Sequence, residues 1–88
     1  MNLISRQSIA QQLITYLEHQ LSLNELVGWA EFAMQEGTFE DSHFEVIRTG
    51  ISRLGVADVK AFGLEWDDCE SLLKRLGYTV RIEISAVA

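Results

Sequence analysis

The chain has 88 residues, 48% of them apolar, and 7 basic against 13 acidic side chains give a net charge of −6. That length makes a single domain, residues 1–88, burying only about 60–65% of its unfolded surface. The charge opposes nucleic-acid binding, the lone Cys69 excludes an internal disulfide, and no run approaches the roughly 18–20 apolar residues of a membrane span or forms a signal-peptide core. The expectation is a cytoplasmic protein with no membrane association.

Four to five short helices follow from the apolar spacing. Ser5 is a good N-cap for a first helix reaching about His19, with Ile9, Leu13, Ile14 and Leu17 on its inner stripe. A second helix starts after Ser22. Its stripe is Leu23, Leu26, Val27, Ala30, Ala33 and Met34, and Gly37 ends it. A third runs from about Ser42 to Leu54, with Phe44, Ile47, Ile51 and Leu54 inward and Gly55 after it. "VADVKAFG" makes one or two helical turns. "WDDCESLLKRLG" is the last helix, with acids in its first turn, bases in its last, and Gly77 as its stop. Cys69, Leu72, Leu73 and Leu76 share its inner face.

Gly28 and Gly50 fall inside predicted helices, where each costs about 1 kcal/mol relative to alanine. Gly28 lies four residues before Phe32, and Gly50 four after Val46. At 100° per residue Phe32 points nearly opposite the stripe of its helix, with Trp29 between the two faces. Close helix packing inside the domain explains such glycines. That is the preferred reading, and a contact surface for another chain, including Phe32 and Val46, is the alternative.

The end of the chain alternates. Tyr78, Val80, Ile82 and Ile84 fall on one side and Thr79, Arg81, Glu83 and Ser85 on the other, which predicts a C-terminal strand over 78–85. A strand needs a partner for its backbone groups. The N-terminal "NLI", a second copy of the same strand, or another protein's sheet edge would each serve. Antiparallel self-pairing about Ile82 sets Arg81 against Glu83 twice, Thr79 against Ser85 and Val80 against Ile84. Opposite charges across such a ladder contribute about 0.2–1 kcal/mol each. A twofold homodimer joined through Thr79, Val80, Arg81, Ile82, Glu83 and Ile84 is therefore the preferred expectation.

Catalytic and cofactor motifs are wanting. His19, His43 and Cys69 have no metal-ligand spacing. Cys69 sits on an apolar stripe among Asp67, Asp68 and Glu70, which suits a core thiol rather than a nucleophile. The glycines form no phosphate-binding loop, and Asp67 and Asp68 diverge by about 100° on a helix. "SIAQQL" and "SLNELVGWA" resemble the two halves of a helix-turn-helix. The second half, however, carries Glu25 and Glu31 and no base, so a DNA-binding role is the weakest alternative. The acids cluster at Glu36, Glu40, Asp41 and Glu45 and again at Glu65, Asp67, Asp68 and Glu70. As helix-start residues they favour the dipole; as a surface patch they suit a basic partner.

"LSLNELVGWAEFAM", "LGVADVKAFGLEWDDCESLLKRLGY" and "TVRIEI" together resemble a small bacterial family of acidic proteins without assigned chemistry. The resemblance covers about residues 5 to 84. It implies bacterial origin and an α-rich domain with a terminal strand, and no activity, ligand or cofactor. Glu65 departs from the serine or threonine expected as N-cap before "WDDCE". The expected protein is a mainly α, non-catalytic interaction module that self-associates. An antitoxin- or immunity-like inhibitor of a basic partner is the alternative.

Overall fold

Serine hydroxyls start the first two helices. In the computed structural model, which describes residues 2–59 and 63–81, α1 spans Arg6–Leu17 and α2 spans Leu23–Glu36. Ser5 Oγ accepts the Ser8 N–H at 3.1 Å, and Ser8 Oγ accepts the Ser5 N–H at 3.2 Å. Ser22 and Glu25 repeat this reciprocal cap at 3.1 and 2.9 Å. Each pair satisfies two N–H groups that a helix start otherwise orphans. A 3-10 turn at Asp41–His43 leads into α3, Phe44–Gly55, and α4 covers Trp66–Arg75. Glu65 is the N-cap of α4 despite its type, because the Asp68 carboxylate accepts its N–H at 2.9 Å.

Helix ends divide by backbone chemistry. Gly77 takes φ +95°, and the N–H groups of Gly77 and Tyr78 close α4 on the carbonyls of Lys74 and Leu73 at 3.0 and 2.9 Å. The end of α1 has the same geometry without a glycine. His19 holds φ 63°, with N–H bonds from His19 to Tyr16 at 3.0 Å and from Gln20 to Thr15 at 3.1 Å. A side chain in this left-handed region is strained against the next carbonyl. Gly55, expected to follow α3, is instead its last residue.

All four helices contribute to one core. Its fully buried members include Ile9, Leu13, Leu26, Ile47, Ile51 and Leu54. Cys69, Leu72, Leu73 and Leu76 join it from α4 as their spacing requires. Burying each of the larger side chains contributes about 1.5–3 kcal/mol. Gly50 lies at the centre, where an added Cβ would sit 3.4 Å from Ile9 Cδ1 and Leu72 Cδ1. It therefore serves close packing within the domain. Two expected core residues are outside: Met34 is 52% exposed and Phe44 44%. Phe44 instead leans on Phe39, with ring centroids 5.8 Å apart.

The sheet differs most from expectation. β1, Asn2–Ile4, pairs in parallel with β2, Gly37–Phe39, joining Asn2 to Gly37, Leu3 to Thr38 and Ile4 to Phe39. The Glu40 N–H extends the ladder to the Ile4 carbonyl at 2.9 Å. The strand of this fold is thus N-terminal and pairs within the chain. Residues 78–81, the described part of the predicted C-terminal strand, form none; Ile82, Glu83 and Ile84 lie outside the described residues. Within 78–81 only Val80 packs against the core, and Tyr78, Thr79 and Arg81 are exposed.

Gly37 makes the sheet feasible. A Cβ there would meet the Ala33 carbonyl oxygen and Ile4 Cγ1, both at 2.6 Å. Gly37→Ala is expected to cost about 1–3 kcal/mol, the range of an overpacked site. Urea unfolding should show a lower midpoint with an unchanged slope. Conversely His19→Gly should raise stability by about 1 kcal/mol by relieving the left-handed backbone, a gain of several degrees in melting temperature.

Candidate functional site

Period-two geometry places neighbouring strand residues on opposite faces. Ile4 is 4% exposed and belongs to the core, so Leu3 points away from it and is 58% exposed. Beside Leu3 runs the outer face of α2. Phe32 is 46% exposed, while Trp29 is half-buried with part of its ring against the core. Together with Ser8, Gln11 and Gln12 of α1 these side chains line a groove of about 400 Å³. None of its lining residues is charged.

Gly28 continues this face one turn before Phe32. A Cβ added there would meet nothing within 4 Å. The two mid-helix glycines therefore have different reasons. Gly50 faces the packed core, where a Cβ would just touch Ile9 and Leu72, whereas Gly28 answers to no contact among the described residues.

The predicted contact residues do not gather in one place. Phe32 belongs to the uncharged groove. Val46 is half-buried and packs against the core. Thr79, Val80 and Arg81 line a separate depression with Ile14, Leu17 and Trp66. Leu3 was not legible as a site residue, because only its pairing to Thr38 brings it beside α2.

The acids behave first as helix-start groups. The Ser22 N–H and hydroxyl hold the Glu25 carboxyl below the usual glutamate range. Asp68 binds the Glu65 N–H and pairs with Arg53 at 3.2 Å, and Arg53 also donates to the Gly63 carbonyl at 2.8 Å. Glu45 pairs with Arg48 at 3.1 Å, one turn away on the α3 surface. Cys69 is 1% exposed within the core. Burial first, and then the Asp68 carboxylate, push its thiol up to about 11, against the opposing charge of Arg53.

No family model, curated protein or solved structure matches the chain. The resemblance carried by its three segments therefore brings no activity with it. Among the described residues no helix is long and apolar enough to cross a membrane.

The state of Cys69 is directly measurable. With its thiol raised to about 11, only about one molecule in a thousand carries a thiolate at pH 8. A disulfide reagent at that pH should label the native protein far more slowly than the urea-unfolded chain. Labelling at the rate of a free cysteine would contradict both the burial and the charge environment.

Proposed function

We propose that the protein is a non-catalytic interaction module that self-associates through the uncharged face made by α2 and β1. Gly28 carries this reading. A mid-helix glycine costs about 1 kcal/mol relative to alanine, and nothing within the described chain requires one at this position. What a bare helix backbone permits is the close approach of another backbone. Phe32 and Trp29 beside it are the large, rigid side chains that anchor protein interfaces.

The uncharged lining makes this face the one where a second copy meets least repulsion. Two chains of net charge −6 repel each other over most of their surfaces. The groove of Leu3, Trp29 and Phe32 sets no like charges against each other when a twofold axis passes through it. Self-association at this face needs no C-terminal ladder of the kind expected from the alternation of residues 78–85.

Light scattering over a wide concentration range tests the proposal. The expected mass is that of a dimer. Phe32→Glu should give a folded monomer with unchanged helical content. Gly28→Ala should stabilise the dissociated chain by about 1 kcal/mol and yet weaken association, a pairing of effects that an ordinary surface glycine would not give. A monomer at every concentration, or a dimer indifferent to Phe32→Glu, would overturn it.

A further inference from the structure

A groove of about 640 Å³ opens where three helix ends meet: the end of α1 and the starts of α2 and α4. Tyr16 and Leu17 come from α1, and Trp66, 41% exposed, comes from α4. Glu25 and Glu65 are exposed lining residues, and among the described residues no lysine or arginine lines this groove.

Two helix starts at one place would ordinarily favour an anion. Here the protein's own side chains occupy that role. Glu25 accepts the Ser22 N–H, Ser22 Oγ accepts the Glu25 N–H, and Asp68 accepts the Glu65 N–H. An added anion would compete with these carboxylates and be repelled by them. A cation meets the opposite situation. Aromatic faces attract a cation at close range, and the carboxylates add to that attraction. His19 adds a further ring to the wall from a backbone that would rest more easily as glycine. Strained residues of this kind gather at functional sites.

The groove is more than a pocket for an ion. Leu17 and Trp66 also line the neighbouring depression of about 280 Å³, whose other walls include Leu73 and Val80. The two share Leu17 and Trp66 and make one trough, with Glu25 and Glu65 in its larger part and Glu18 and Arg81 in its smaller. Lysine and arginine lay their aliphatic stems along apolar surface and keep their charged ends at its polar edge.

We infer that this trough receives a polypeptide segment bearing a lysine or arginine, its charged end at Glu25 and Glu65 and its stem against Leu17, Tyr16 and Trp66. The lining of this site shares no residue with that of the α2–β1 groove, so Trp66 and Trp29 report on the two surfaces separately.

Nuclear magnetic resonance of the full chain tests it, because Trp66 and Trp29 give separate indole N–H signals from the two surfaces. The probes are capped peptides Ala-Leu-Arg-Leu-Ala and Ala-Leu-Lys-Leu-Ala, with Ala-Leu-Glu-Leu-Ala as control. The cationic peptides should shift the Trp66 indole and leave the Trp29 indole in place. The double variant Glu25→Gln and Glu65→Gln, in which glutamine at position 25 retains the capping-box role and the Asp68 bond to the residue 65 N–H is untouched, should keep its fold and its light-scattering mass. Its affinity for the cationic peptides should fall about fivefold to tenfold. No Trp66 shift at about 5 mM peptide, an equal shift with the glutamate control, unchanged affinity in the double variant, or shifts confined to Trp29 would each overturn the inference.

Discussion

The missing side chain at Gly37 is the constraint on which the exposed face depends. Only without a Cβ can the end of α2 turn into β2 with both the Ala33 carbonyl and Ile4 packed close against residue 37. That approach draws β1 into register, and register decides which of its side chains is buried. Ile4 enters the core and Leu3 is left outside, next to Trp29 and Phe32. A backbone requirement at one residue thus places an apolar side chain on a surface formed by other elements.

The acids serve two scales at once. Locally, Glu25 and Asp68 satisfy N–H groups at the starts of α2 and α4. Regionally, Glu25 and Glu65 give the groove between those starts its negative sign. The helix dipoles alone would have made the same place attractive to anions. The sequence reverses that preference with residues it already uses as caps. The uncharged face lies elsewhere, so one small domain presents two surfaces of different chemistry.

Local signals were the most legible part of the fold. Ser5 and Ser22 announced helix starts, and Gly77 announced a helix end, because each acts on backbone groups within a few residues. The inner stripe of α4 was equally plain. Met34 and Phe44 were misjudged because apolar spacing alone does not say how wide a buried stripe is. The sheet was invisible in advance: three-residue strands are too short to show alternation, and their partner lies beyond two helices. Residues 78–81 misled for the opposite reason, since a stretch can alternate in sequence with only Val80 of it packed against the core. For the site, Phe32 was legible from helical angle and the misplaced glycine. Leu3 was not, and neither was the meeting of Tyr16, Glu25 and Trp66 from three parts of the chain.

The parallel ladder also orders the assembly of the domain in time. Residue 2 pairs with residue 37, so both α1 and α2 lie within the loop that the ladder closes. The entropy of closing such a loop is repaid only when distant contacts form, whereas the reciprocal caps of Ser5 and Ser22 need only neighbouring residues. The two helices can therefore take shape before their clasp. The face that combines Leu3 with α2 is complete only once the clasp shuts, which keeps Leu3, Trp29 and Phe32 from meeting as a unit in a half-folded chain.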